Sequence, residues 1–446
     1  MKTIVTCASI AAVGAAGLQA QELRNPEPQK PWSISAKVRG FYDDNYATAP
    51  NNQSIPGVRE KRSSWGVNIV PYFNVELLQD LTTIRFMYRW DGRWYADRGA
   101  TNQNMEWDNT HQIRLGINHE FCEQYSIDVF DEFVISQRPD ILAPASGQYA
   151  TFTRSDGNNL RNYGGAAFNG MWSERLGSRI EYSNTYYDFE QDAPPGGLVA
   201  PGWWTSRSAL LNRMEHRATL DLRYQSRPTM VGLIGYRFEY TDQTGDTPLG
   251  VDVTTGSPIL PSVRNRQGNF FFIGGEHTFN ELHMLNWRAG VEWARYPDAT
   301  ANMKGDRLLP YVDLMYQYLF NDRTKLQLGM KNEMFQTDIA FATLGSAVGE
   351  GPTQDAMASS VYAAVTYDIT ARLTALGRCY TQFSRFNGGI ADRDYDFWYT
   401  ADINLNYEIN KYLDAEIGYA WDRLDSDLPA RRYTRNRFYF GFHAVY

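Results

Sequence analysis

Three cysteines in 446 residues are too few for a disulfide framework, which needs several bridges at close spacing. Cys7 also lies too near Met1 to be a lipoprotein cysteine, leaving Cys122 and Cys379 in the body of the chain. No run of 18 apolar residues occurs beyond the first twenty or so residues, which excludes a protein that spans a membrane with helices. Histidine is scarce and scattered over His111, His119, His216, His277, His283 and His443. None has a serine or aspartate beside it in a nucleophile motif. His277 and His283 flank an expected turn and are not set at the helical spacing of a metal pair. The acidic loops show no EF-hand pattern. No catalytic, metal or cofactor site is therefore expected. A formal net charge of −8, with no basic stripe, speaks against nucleic acid as a partner.

The chain opens with Lys2, an alanine-rich apolar stretch from Ile4 to Leu18, and Leu18-Gln19-Ala20. These are the parts of a secretory signal peptide with a small-residue cleavage site. The expected organisation is a signal peptide over 1–20, a short proline-bearing periplasmic segment over 21–31, and one domain over 32–446. Losing Lys2 moves the net charge from −8 to −9.

Aromatic residues are plentiful at 14%, with 29 Tyr, 23 Phe and 12 Trp, and they recur with period two. Phe438, Phe440, Phe442, Ala444 and Tyr446 alternate with Tyr439, Gly441 and His443. Phe397, Tyr399, Ala401, Ile403, Leu405, Tyr407 and Ile409 alternate with Trp398, Thr400, Asp402, Asn404, Asn406 and Glu408. A helix would scatter these side chains over all its sides, whereas a strand sorts them onto two faces. The same alternation recurs at 84–91, 113–118, 285–293, 326–330, 361–369 and 415–421. About 18 strand candidates fill the chain, each near the length a tilted spanning strand requires. Segments 126–136 and 270–279 alternate poorly, so counts of 16 and 20 also fit.

Connection lengths alternate too. Short polar turns fall near Gln79-Asp80, Glu123-Gln124, Ser173-Glu174, Arg227-Pro228, Asn280-Glu281, Asn321-Asp322, Ile369-Thr370 and Asn410-Lys411. Long links rich in Gly, Pro, Asn and Asp cover 49–61, 139–157, 191–208, 244–264 and 339–355. Short links at one end and long at the other are the layout of a transmembrane up-and-down antiparallel β-barrel. With an even count, both termini fall on the periplasmic side. Unpaired backbone groups are costly in hydrocarbon, so the first strand, Trp32 to Tyr42, is expected to close against Asn436 to Tyr446. A soluble β-protein would have to expose the same apolar rows to water.

If apolar positions face lipid, their neighbours line the interior. Candidate cations there are Lys37, Arg39, Arg85, Arg89, Arg114, Arg179, Arg223, Arg237, Arg288, Lys325, Lys331, Arg372, Arg378 and Arg437. Candidate anions are Glu76, Glu120, Glu181, Asp221, Glu239, Glu292, Asp313, Glu333, Asp402, Glu408, Glu416 and Asp422. The near balance predicts little charge selectivity. The plainer reading of each such residue is a cross-strand ion pair that holds the wall together. Inward Tyr72, Tyr380, Trp398 and Tyr439 are candidates for a stacking track for sugar rings, or for ordinary wall packing. The loops at 139–157, 191–208 and 244–264 are long enough to constrict the interior.

The stretch from Trp32 to Tyr46, WSISAKVRGFYDDNY, the rhythm of strands and turns, and the aromatic terminus together resemble the β-barrel porin families of Gram-negative bacteria, including β-barrel porin 2. The resemblance implies the fold and the outer membrane. It further implies lipid and lipopolysaccharide as surroundings, recognition of the Tyr446 strand by the barrel-assembly machinery, and room for a trimer. It carries over no ligand position. The expected function is passive diffusion of small hydrophilic solutes. The alternative is a barrel accessory to polysaccharide export or surface attachment, for which residues 21–31 would be the partner-binding extension.

Overall fold

A computed structural model describes residues 30–54, 60–98, 107–137, 142–143, 148–149, 158–190, 207–251, 255–299, 303, 305–337, 353–389, 391–428 and 431–446. The expected signal peptide, most of segment 21–31, and much of loops 139–157, 191–208 and 339–355 lie outside the described residues.

Eighteen strands form one antiparallel sheet. They are β1 (Trp32–Asp43), β2 (Ser64–Gln79), β3 (Thr82–Tyr95), β4 (Trp107–Cys122), β5 (Tyr125–Ser136), β6 (Asn159–Met171), β7 (Leu176–Phe189), β8 (Arg213–Arg227) and β9 (Met230–Gln243). The chain continues through β10 (Arg266–Asn280), β11 (His283–Arg295), β12 (Arg307–Asn321), β13 (Thr324–Phe335), β14 (Asp355–Asp368), β15 (Leu373–Asn387), β16 (Tyr395–Asn410), β17 (Leu413–Ser426) and β18 (Tyr433–Val445). Each strand pairs with its sequence neighbours, and β1 pairs with β18 from Ser35↔Val445 to Asp43↔Arg437. Tyr446 extends this seam: its N–H donates to the Ile34 carbonyl at 2.8 Å and its carbonyl accepts from the Ile34 N–H at 3.0 Å. The barrel is closed, with the strand number and the end-strand pairing read from the sequence.

Alternation sorts the two surfaces as expected. Ile34, Val38, Leu220, Leu222, Ile234, Ile273, Ile403, Ile417, Phe438, Phe440 and Phe442 are all exposed on the outer face. Water would not tolerate so much contiguous apolar surface, and lipid requires it. Exposed rings gather toward the strand ends, with Trp65 and Trp107 at one end and Trp172, Tyr224, Phe279 and Tyr446 at the other, giving two aromatic girdles. The two poorly alternating segments have distinct causes. On β10, Phe270, Phe271 and Phe272 are consecutive, so rings fall on both faces; Phe270 and Phe272 are buried while Phe271 is exposed. On β5, Asp131 occupies the outward phase between Val129 and Phe133.

Connections are short at one end, such as Asp80 and Leu81 between β2 and β3 or Lys411 and Tyr412 between β16 and β17, and long at the other. The long links carry a helical turn, α1 (Arg207–Leu211), a 3-10 turn at Pro261–Arg264, and a two-residue ladder joining Gly250–Val251 to Pro258–Ile259. A second such ladder joins Leu142–Ala143 to Gln148–Tyr149.

Candidate functional site

The charged candidates on strands fall in the register opposite the outward apolar residues, and most are ion-paired. Arg85 Nε donates to Glu76 at 2.8 Å, Arg288 Nη2 to Asp221 at 2.8 Å, Arg378 Nε to Asp402 at 2.9 Å and Arg437 Nη2 to Asp422 at 2.7 Å. Arg114 lies 3.3 Å from Glu132, Arg223 2.5 Å from Glu276 and Arg89 3.6 Å from Asp91. Arg39 holds Glu416 bidentately, with Nη2 to Oε2 at 2.9 Å. Asp313 is in register with Arg288 on one side and Lys331 on the other. Glu408 faces Asp414 across β16 and β17. Arg372 departs from expectation. It sits in the turn between β14 and β15, where its carbonyl accepts from the Glu408 N–H at 2.7 Å, because the chain reverses there before the period can set its side chain inward.

Around Glu333 the pairs cease to be between neighbours. Glu333 on β13 accepts from Arg237 Nη2 on β9 at 2.9 Å and lies 3.7 Å from Arg217 on β8. Those strands are four and five positions away, about 19–24 Å along the sheet at the usual strand spacing. The side chains therefore span a chord of the barrel. Arg217 also reaches Glu239 at 2.6 Å, Arg266 reaches Glu239 at 3.1 Å and bonds Glu292, and Lys331 lies 3.4 Å from Glu333. Four cations thus meet three carboxylates, and Glu239, Glu292 and Glu333 are all buried. Their mutual pairing lowers the cost of burying these charges.

The arc β8 to β13 behind this chord is filled. Leu233, Phe270, Phe272 and Tyr311 form a buried cluster there, with the Arg237 guanidinium 3.9 Å from the Phe270 ring centroid and 4.8 Å from that of Tyr311. Gly235 permits this, since a Cβ there would stand 2.1 Å from the Phe272 ring. The same arc is roofed. Ala209, Leu210 and Leu211 of α1, with Leu249, pack on Tyr187 and Phe189 at the end of β7. Arg264, fully buried, donates to the carbonyls of Leu210 at 3.1 Å, Thr337 at 2.7 Å and Gln354 at 3.3 Å. It clasps the β7–β8 link and both ends of the β13–β14 link to its own β9–β10 link at the barrel mouth.

Of the four candidate aromatics, Tyr380 and Trp398 are brought together, their ring centroids 5.5 Å apart. Tyr439 stands two strands away under the Arg39 guanidinium, 4.8 Å from its ring, and Tyr72 is on β2, in register with Arg89. They do not form one continuous row. Arg217, Arg266 and Arg264 escape the sequence reading above. Arg217 belongs to a legible inward series, Arg213, Glu215, Arg217, Thr219, Asp221 and Arg223, blurred by polar His216 on the outward phase. Arg266 and Arg264 sit at a loop boundary where no period operates.

A closed barrel, greasy outside and charged within, is the setting for the comparison with known families. Residues 342–445 match the family model described as "Putative beta-barrel porin 2". The match covers β14 to β18 and agrees with the resemblance drawn from the sequence. Over those residues the chain is similar to that family, and as a whole it is a closed 18-stranded antiparallel β-barrel. No curated protein matches it. Similar solved structures include the siderophore receptor PirA from Acinetobacter baumannii, at 9% identity over 94% of this chain and 81% of that one, TM-score 0.47. They also include the outer membrane protein OpdK from Pseudomonas aeruginosa, at 9% identity over 93% and 99%, TM-score 0.42. A BenF-like porin from Pseudomonas fluorescens Pf-5 is 9% identical over 93% and 99%, TM-score 0.45. At these levels the likeness assigns no solute to this barrel.

Proposed function

We propose that the protein is an outer-membrane channel through which small hydrophilic solutes diffuse, using the part of the lumen that the Glu333 chord leaves open. One observation carries the reading: a closed barrel of 18 strands has its charged residues on the inward register and its apolar ones outward. An interior of that width holds water unless filled, and buried clusters take up two parts of it, one around Phe270 and Tyr311 on β9 to β12 and one around Phe335 and Phe386 on β13 to β15. In this reading the open passage is bounded by β1 to β7, β16 to β18 and the chord. The Arg264 clasp holds the long loops over the filled arc and keeps them from wandering across the passage. The lining pairs, with Arg39, Arg89, Arg378 and Arg437 beside Glu416, Asp91, Asp402 and Asp422, present both signs to a hydrated solute. The single extra cation of the chord biases the field slightly toward anions. The short turns and both termini face the periplasm, the long links face outward, and the Tyr446 strand is the segment offered to the assembly machinery. No residue is assigned a catalytic role.

Planar-bilayer recording of the purified mature protein tests this directly, with steady ohmic conductance expected. Liposome uptake of sugars, amino acids and organic anions side by side then ranks the solutes. Absence of conductance under every salt and voltage condition would overturn the proposal.

A further inference from the structure

A carboxylate stands at mid-strand on the outward face of β5. Among the described residues, Asp131 is the single Asp, Glu, Lys or Arg on the outward phase of a barrel strand that stands more than three residues from both strand ends. It lies in the middle of β5, between Val129 and Phe133 on its own face, and in register with Leu115 on β4 and Gly164 on β6. Its Oδ1 accepts from Asn162 Nδ2 at 2.8 Å. One strand further, β7 displays Tyr182 and Asn184 outward. The Tyr182 hydroxyl is 2.8 Å from His216 Nδ1, and Asn184 Nδ2 donates to the Glu215 carbonyl at 3.2 Å. Between these polar groups β6 shows only Gly164 and Ala166, so the patch is flat.

Hydrocarbon has no donor to offer a carboxyl, and ionisable groups at this depth find protein or water. We propose that the β5 to β7 face is where a second copy of this chain docks, barrel against barrel. The patch carries its own complement. Asp131 has acceptor capacity beyond the bond from Asn162, and on the far side of the flat strip stand Tyr182 and Asn184, polar groups that bond to His216 and to the Glu215 carbonyl on β8 and would have to share or exchange a proton to meet it. A two-fold axis along the membrane normal through Gly164 and Ala166 sets β5 of each copy against β7 of the other, so that one contact is made twice. Small residues at the axis let the two walls approach closely. A lipid headgroup would sit at the strand ends, where Asp131 is not. The proposal does not depend on whether the lumen conducts.

The test uses the mature chain with Cys122→Ser and Cys379→Ser, reconstituted in bilayers, with a single cysteine introduced by Ala166→Cys or, nearly opposite on the barrel, by Ile403→Cys. Oxidation is expected to cross-link the first into dimers and leave the second monomeric, and native mass spectrometry of the uncross-linked protein is expected to show a dimer. Asp131→Leu is expected to lower the dimer fraction at least tenfold while heat-modifiability on gels, which reports the closed barrel, stays intact. A monomeric mass, equal cross-linking at both sites, or a different protein recovered on the patch would overturn the proposal. So would unchanged association in Asp131→Leu, the outcome if the carboxyl merely faced acyl chains.

Discussion

At the scale of single residues, ion pairs in this barrel differ by how much water they see. Glu333 is buried and serves Arg237, Arg217 and Lys331 at once. Glu333→Gln keeps its shape but strands those cations, and breaking a buried pair from one side costs about 3–5 kcal/mol. The expected result is a lower midpoint in denaturant unfolding from micelles, together with a zero-current potential shifted toward anions in a salt gradient. Arg85 and Glu76, by contrast, are both open to solvent. Arg85→Ala is expected to change stability by no more than about 1 kcal/mol in the same unfolding assay. Almost all the charged positions named from the sequence sit on the inward register, yet their ranking by burial was not legible there, because burial depends on what reaches across from distant strands.

At the scale of the strand, the face a residue occupies decides its cost. Leu405 and Asn406 are neighbours on β16 with opposite faces. Leu405→Arg would set a cation in hydrocarbon and cost roughly 2–4 kcal/mol, whereas Asn406→Arg would place it in register with Glu416 and cost far less. Refolding yield and unfolding midpoint of the two variants, compared in one lipid, check the difference. The closing seam gives a second prediction. Removing residues 440–446 strips β1 of partners from Ser35 to Gly40 and of the Ile34 to Tyr446 bonds. Such an edge cannot be left open in a membrane, so the truncated chain is expected to lose heat-modifiability and to accumulate unassembled. Strand positions were readable wherever one face was uniformly apolar, as on β16 and β18. They blurred where Asp131 broke the outward row and where three phenylalanines ran together on β10.

At the scale of the whole molecule, three long links meet at Arg264 and so tie the barrel mouth to its filled arc. Arg264→Ala removes the donor for the Leu210, Thr337 and Gln354 carbonyls together. Leaving such groups unpaired costs about 1–3 kcal/mol each unless water reaches them, so the links are expected to loosen. Single-channel traces should then show added current noise and rapid partial closures, with the barrel still heat-modifiable. Identical traces from the variant and the parent would count against a role for the clasp in ordering the mouth.

The amino-acid order by itself determined the strand period, a strand number of about 18, the alternation of short and long links, and which strands close the cylinder, while the structure settled the count at 18 over 16 and 20. Those features arise from local chemistry repeated every second residue, and backbone pairing in hydrocarbon admits few other arrangements. Only the tertiary structure decided that Glu333 meets Arg217 across five strands, that Phe270, Phe272 and Tyr311 fill one arc, and that Arg264 gathers three loops. Contacts of that kind join residues far apart in the chain through the curvature of the wall, a quantity that no window of sequence contains.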